Sequence, residues 1–263
     1  MQLLCTLDAL CQAHVGQVVL TVNVPEPALI AQVQARPWAF ELTLLQNPQP
    51  KGFGPNHNAA FAHHKLDYFC VLNPDIDFEA DPFGDLIRAL TEPPDKLGID
   101  LQNNPLAGCS FPVQVDKAGR VQDHARQLPS PSALLARYSP FGHSPFLQSL
   151  LGAQPPAQPL HQPDWVNGAF MLFRTAVFKQ LGGFDERYFM YCEDVDICLR
   201  LQLAGFGLVR CDARVTHAAQ RNTRVNLKHL VWHIASLLRL WRSASYREFA
   251  RLKPAQSKYR QGS

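Results

Sequence analysis

Two acidic clusters in this chain have residue types and spacing that could do chemistry. The first is Asn73-Pro74-Asp75-Ile76-Asp77, at the end of the apolar run Tyr68–Leu72. The second lies far downstream, where the segment Gly183–Arg200 holds Asp185, Glu186, the adjacent Glu193 and Asp194, and Asp196. Val195, Cys198 and Leu199 recur at i, i+3 and i+4, so this segment ends as a helix with one buried face. Acidic side chains in a first turn are favoured by the helix dipole. Charge decoration alone therefore accounts for Glu193, Asp194 and Asp196. The upstream acidic pair at a strand end adds a chemical reading. Mg2+ and Mn2+ prefer carboxylate, water and phosphate oxygens. Asp75, with Asn73 or Asp77, could hold such an ion against a diphosphate. The Gly-rich turn Lys51-Gly52-Phe53-Gly54-Pro55-Asn56-His57-Asn58 feeds a helix through His64 and could bring backbone close to a nucleotide. Taken alone, both the turn and the Asp-x-Asp are weak signals.

The elements that must position these clusters alternate. Apolar runs predict strands at Gln17–Val24, Glu41–Gln46, Tyr68–Leu72, Leu97–Leu101, Trp165–Phe173 and Phe206–Cys211, with Val215-Thr216-His217 close behind. Gly168 and Ala169 in the middle of one of them permit close approach of a ligand or backbone. Helical spacing appears at 3–12, Ala28–Ala35, Asp81–Leu90 and Thr175–Leu181, and in the acidic helix stopped by Gly205. Residues 102–163 carry ten prolines and little periodicity, which predicts a long irregular excursion of the kind that forms binding loops. Alternating strands and helices imply an α/β sandwich with a mostly parallel sheet. Ligands bind beyond the carboxyl ends of such strands, where Asn73–Asp77 stands.

Composition narrows the class. With 263 residues, 46% hydrophobic and 18% charged, the chain can bury a large core and is not disordered in composition. Seven scattered cysteines without a Cys-x-x-Cys pair point to a reducing cytoplasm, with thiols serving as core residues. No apolar run is long enough to span a bilayer. The net charge of +3 hides an asymmetry, because residues 210–263 hold 12 Lys/Arg against 2 Asp/Glu. A basic end suits an anionic partner, such as a membrane surface or a diphosphate substrate. Base-reading and stacking motifs are absent, so nucleic acid is not expected. Leu227, Leu230, Val231, Ile234, Leu237, Leu238 and Trp241 repeat with helical spacing, opposite Lys228, His229, His233, Arg239 and Arg242. Such a helix either packs on the domain or lies on an anionic membrane. The organisation expected is a domain over 1–220 and a basic amphipathic helix and tail over 221–263.

Several blocks occur in one order between residues 17 and 240. They are Gly52-Phe53-Gly54 with Asn58, Leu72-Asn73-Pro74-Asp75, Asn167-Gly168-Ala169-Phe170 with Arg174, Gly182–Glu186, Glu193–Asp196 with Leu199-Arg200, then Gly205 and His217. Together they resemble the inverting family 2 glycosyltransferases of GT-A fold, in the rhamnosyltransferase-like branch. The resemblance implies a Rossmann-like sandwich. It implies transfer of a sugar, rhamnose in this branch, from a nucleotide-diphosphate sugar to a glycan or lipid-linked acceptor in cell-surface polysaccharide synthesis. By the same resemblance Asp75, with Asn73 and Asp77, meets Mg2+ or Mn2+, and His217 either approaches the metal or diphosphate or closes a strand. Asp194 becomes the general base, with Glu193 and Asp196 orienting it or contacting the acceptor. Asn167, Gly168 and Ala169 line the sugar pocket, Asn23, Gly52, Gly54 and Asn58 meet the donor, and Arg126 contacts the acceptor.

Two departures accompany the resemblance. The family opens with an apolar strand ahead of its first helix, whereas this sequence opens at the helix, Gln2–Gln12. Either the start is trimmed or misassigned, or the sheet lacks that strand. Asn23 also stands where the family often has Asp-Asn. A non-catalytic remnant that binds a glycan or partner, and a glycoside hydrolase with two carboxylates, are the alternatives. The Gly-rich turn and the Asn-Pro-Asp argue against the hydrolase.

Overall fold

β-Branched and aromatic runs punctuated by Pro and Gly set the strands, and the computed structural model describes residues 1–92, 106–128, 163–218 and 227–259. Helix α1 (Gln2–Leu10) precedes β1 (Gln17–Val22), α2 (Pro27–Gln34) and β2 (Glu41–Gln46). Pro27 begins α2, where its missing N–H has no helical partner to lose. Then come α3 (Phe53–Phe61), β3 (Tyr68–Leu72), β4 (Ile76–Asp77), α4 (Phe83–Thr91), β5 (Leu106–Val115) and β6 (Ala125–Arg126). They are followed by β7 (Trp165–Val166), β8 (Phe170–Arg174), α5 (Thr175–Gln180), α6 (Glu193–Leu203), β9 (Phe206–His217), α7 (Leu227–Arg242) and α8 (Ala244–Tyr259).

The main sheet has the order β3-β8-β5-β9-β4. Only β5 and β9 run parallel in it; the other three pairings are antiparallel. This mixed sheet corrects the mostly parallel expectation. Strand β8 lies between β3 and β5 and runs against both, and the short β4 runs against β9 at the edge; antiparallel neighbours need no helical crossover. Strands β1 and β2 form a separate parallel pair, and no strand of the described residues joins β1 to β3.

Strand β8 shows how the core is built. Met171 and Phe173 face one cluster with Phe178, Ile197 and Leu199. Phe170 and Leu172 face the other, with Leu86, Val209 and Val215. Burial on both faces explains the unbroken apolar run in this strand.

The excursion expected over 102–163 is corrected by β5. Ten residues there form a strand, buried from Gly108 to Val115. Gly108 and Pro112 made it unreadable as one, and both sit at shifts in its register with β9. Pro112 has no N–H for the ladder. A Cβ on Gly108 would press on Phe206 Cβ at 2.8 Å. The expected strand Leu97–Leu101 and residues 129–162 of the excursion lie outside the described residues. The single strand expected over Trp165–Phe173 is broken at Asn167-Gly168-Ala169, while 206–217 is one continuous strand.

All seven cysteines are free thiols. No helix of the described residues is long and apolar enough to cross a membrane.

Candidate active site

The loop between α5 and α6 is held by side chains that the sequence offered as ligand contacts. Asn58 accepts the Phe184 N–H at 2.9 Å and donates to the Phe184 carbonyl and to Glu186 Oε1 at 2.9 and 3.0 Å. Gly52 lets the Phe189 carbonyl come close enough to accept the Phe53 N–H at 3.0 Å. A Cβ on Gly52 would collide with that carbonyl oxygen, and one on Gly54 would meet Phe184 Cβ at 2.9 Å. At these three positions the structure shows contacts that hold the α5–α6 loop against α3. Asn23 is likewise engaged. Its oxygen accepts from Lys51 N–H and Asn47, and its amide donates to the Lys51 carbonyl.

Two expected carboxylates are also engaged by protein partners. Asp77 accepts from Gln2 at 2.8 Å through one oxygen and from Phe78 N–H at 3.0 Å through the other, so it ties α1 to β4. Asp196 is buried and saturated by Arg200 at 2.7 Å and Ser245 at 2.8 Å. Arg200 also donates to the carbonyls of Leu181 and Gly183. Asp196 thus ties α6, α8 and the α5–α6 loop together. Asp196→Ala is expected to cost about 3–5 kcal/mol of stability, the usual penalty for orphaning a buried partner. Urea denaturation reads that loss, while turnover per folded molecule should stay near normal.

What remains converges at the ends of β3, β5 and β9. The Asn73 N–H donates to the Ala169 carbonyl at 2.9 Å, which joins the end of β3 to the turn before β8. Strand β4 pairs Ile76 with His217, and the Asp75 carbonyl accepts from Ala218 N–H at 3.1 Å. That brings His217 Nε2 to 3.6 Å from Asp75 Oδ2. The neighbouring imidazole is the largest influence holding the Asp75 carboxyl below its ordinary range.

Gln114, buried on β5, completes the arrangement. It exchanges a reciprocal amide pair with Asn167, at 2.7 and 3.0 Å, and its oxygen takes His217 Nδ1 at 3.1 Å. With Nδ1 donating to the Gln114 oxygen, the ring is turned so that Nε2 faces Asp75. Sequence reading missed Gln114 because β5 itself was missed. A lone amide within the otherwise apolar run of 111–115 was the available signal.

From Asn167 the chain passes to Gly168, whose N–H donates to Asp194 Oδ2 at 3.2 Å. Phe53 Cζ would lie 2.9 Å from a Cβ on Gly168, so glycine lets this turn sit against α3. Asp194 also takes its neighbour's N–H, from Val195, at 2.8 Å. Tyr191 and Cys192 reach this corner with φ of 73° and 65°, the left-handed region that non-glycine residues seldom adopt.

The adjacent carboxyls divide one proton. Burial, then the charge of Asp194, pushes Glu193 up to about 8. One Glu193 oxygen is buried without a partner. Burial raises Asp194 too, but two backbone N–H groups and the charge of Arg126 favour its ionised form. Glu193 therefore holds the proton and Asp194 is the carboxylate. Arg126 itself is pinned by Asp123 at 3.0 Å and lies over the Trp165 ring, 5.1 Å from its centroid.

A pH dependence of stability follows. The folded Glu193 keeps a proton that the unfolded chain releases above its ordinary range. Its contribution is present at low pH and is lost as pH rises toward 8. Glu193→Gln should flatten that decline and gain about 2 kcal/mol at pH 8, with much less at pH 5. Urea midpoints at the two pH values test it, and equal losses at both would reject it.

Among the described residues no group of three or more His, Cys, Asp and Glu surrounds a common point. Asp75 and His217 nonetheless fit a divalent cation that a diphosphate also binds. Asp75 offers a buried, unpartnered Oδ1, and His217 has its second nitrogen already engaged.

The model for glycosyltransferase like family 2 matches residues 161–234. Rhamnosyltransferase WbbL of Escherichia coli (strain K12) is 30% identical over 201 residues, 72% of this chain and 69% of that protein. The N-acetylglucosaminyl-diphospho-decaprenol L-rhamnosyltransferase of Mycobacterium tuberculosis (strain ATCC 25618 / H37Rv) is 34% identical over 173 residues, 64% of this chain. The chain spans about half, 52%, of that relative's length. Among solved structures, GalNAc-T7 with UDP, GalNAc and Mn2+ superposes with a TM-score of 0.55 at 12% identity, covering 92% of this chain and 45% of that one. S. aureus TarS 1-349 in complex with UDP-GlcNAc gives 0.50 at 11% identity, covering 89% and 62%. These likenesses carry the GT-A fold, and the sequence relationship carries the family. The chain belongs to glycosyltransferase family 2, in its rhamnosyltransferase-like branch, and is a glycosyltransferase.

Proposed function

We propose that the chain moves a sugar, rhamnose by its branch, from a nucleotide-diphosphate donor to a hydroxyl of a glycan or lipid-linked acceptor in cell-surface polysaccharide synthesis, with inversion. One observation carries this reading. Asp75 and His217 are linked through Gln114 and Asn167 to the Gly168–Asp194 contact, so a diphosphate site and a carboxylate base share one frame.

Asp194 takes the proton of the acceptor hydroxyl as its oxygen bonds to the anomeric carbon. The bond from that carbon to the diphosphate breaks on the opposite side, and its electron pair leaves with the nucleoside diphosphate. Glu193, protonated, spares Asp194 a second full negative charge beside it. Gly168 N–H orients the base. Asp75 and His217 would hold Mg2+ or Mn2+, which when bound neutralises charge on the departing diphosphate. GalNAc-T7 was solved with Mn2+, which supports metal use.

The test is release of nucleoside diphosphate from dTDP-rhamnose, UDP-sugars or GDP-sugars with an acceptor glycan, and the anomeric configuration of the product. A retained configuration would reject the direct displacement. The second reading, a non-catalytic scaffold, draws on the absence of a described strand between β1 and β3. It predicts folded protein without product from any donor.

A further inference from the structure

Helix α7 is mounted with its aliphatic face outward. The side turned to the domain carries Trp232, His233, Ser236, Leu237 and Leu240. There Ser236 donates to the Met190 carbonyl at 2.8 Å, and His233 stacks on Tyr191 with ring centroids 4.7 Å apart. Phe189 packs on Trp232, centroids 4.8 Å apart. These contacts fall on the loop that leads into Glu193 and Asp194. The outward side carries Leu230, Val231, Ile234 and Leu238, which are 37%, 57%, 50% and 42% exposed.

An aliphatic strip facing water on a helix whose other face is already satisfied marks a docking surface. Charge chooses its occupant. Successive residues advance about 100° around a helix, which places Arg242 beside the strip and Arg239 further round, its guanidinium 6.0 Å from the Tyr188 ring centroid. Helix α7 contains no Asp or Glu at all. Exposed Arg247 and Arg251 follow on α8, in the segment where the chain's positive charge is concentrated. An aliphatic strip edged by arginines matches hydrocarbon bordered by anionic headgroups, since long basic side chains reach outward while the strip is buried.

We propose that α7 docks the protein on an anionic phospholipid bilayer, with Leu230, Val231, Ile234 and Leu238 in the acyl boundary and Arg242, followed by Arg247 and Arg251, at the headgroups. The opposite face of the same helix packs on the loop that leads into Asp194. This surface is independent of the sugar chemistry and goes beyond it.

The test is sedimentation of the full chain with vesicles. Retention is expected on phosphatidylglycerol/phosphatidylcholine at low salt, little on phosphatidylcholine alone, and release at 1 M salt, where charges are screened. Ile234→Glu should weaken partitioning at least about tenfold, the scale of losing one buried aliphatic side chain. Val231→Glu, at the most exposed position of the strip, should do the same without changing the melting curve, and it covers the case in which Ile234→Glu unfolds. Turnover on a water-soluble acceptor should be unchanged in both. No retention of the parent chain, or equal retention of folded variants, overturns the proposal. So does a dimer that Ile234→Glu dissociates without any vesicle binding, because a second copy would then cover the strip. Vesicle binding by a chain that turns over no donor would leave this proposal standing while the enzymatic reading fell.

Discussion

Asp194→Asn is expected to lower turnover by about 10²- to 10⁴-fold, the range contributed by a positioned general base. The substitution keeps the size of the side chain but leaves one acceptor where the Gly168 and Val195 N–H groups use two oxygens. One N–H therefore loses its partner, at a cost of about 1–3 kcal/mol, and turnover is compared per folded molecule. What disappears is the basic oxygen that takes the acceptor proton. Donor affinity should change little, because Asp75 and His217 are untouched. The measurement is nucleoside diphosphate release at saturating acceptor, set beside donor binding by calorimetry. The parent's rate should rise with pH through the titration of Asp194, which burial displaces upward. The sign follows from the role, since a base works only when ionised. A variant that keeps near-parent turnover would remove Asp194 from the mechanism.

Asp75→Ala should have the second large effect, on binding and not on the base. Donor affinity in the presence of Mn2+ is expected to fall about a hundredfold, a few kcal/mol of lost charge stabilisation. The side chain is a third exposed, and its folded-state advantage is discounted by solvent, so stability should change little. Calorimetric titration of dTDP-rhamnose, UDP-sugars and GDP-sugars with and without Mn2+ reads the effect. His217→Ala should move donor binding in the same direction. Gln114→Ala should follow with a smaller loss, about tenfold, because it only orients His217. Donor binding that ignores both Mn2+ and Asp75 would detach the acidic cluster after β3 from the diphosphate.

Much of this site was readable along the chain. The apolar run ending at Asn73-Pro74-Asp75 and the acidic start of α6 are local patterns, and both elements formed where spacing predicted them. The order of blocks carried the family. The losses were of two kinds. Strand β5 was hidden because Gly108 and Pro112 look like breaks, whereas in the sheet they are bulges that β9 accommodates. With β5 went Gln114, the residue that joins the two halves of the site. The other concerns partners. Asn58, Asp77 and Asp196 have the right chemistry for ligands, yet each is engaged by partners 126, 75 and 49 positions away in the chain.

The sequence by itself determined the alternation of strands and helices, the position of the carboxylates at element ends, and the amphipathic character of α7. Periodicity and end chemistry are set by near neighbours, so they can be read without a fold. Tertiary structure alone decided which polar groups are already satisfied, which of two adjacent acids keeps the proton, and that α7 turns its aliphatic side to solvent. Those outcomes depend on groups brought together from distant segments. Asp196 meets an arginine and a hydroxyl and is tied into the fold, whereas Asp194 meets two backbone N–H groups that offset part of the upward push of burial.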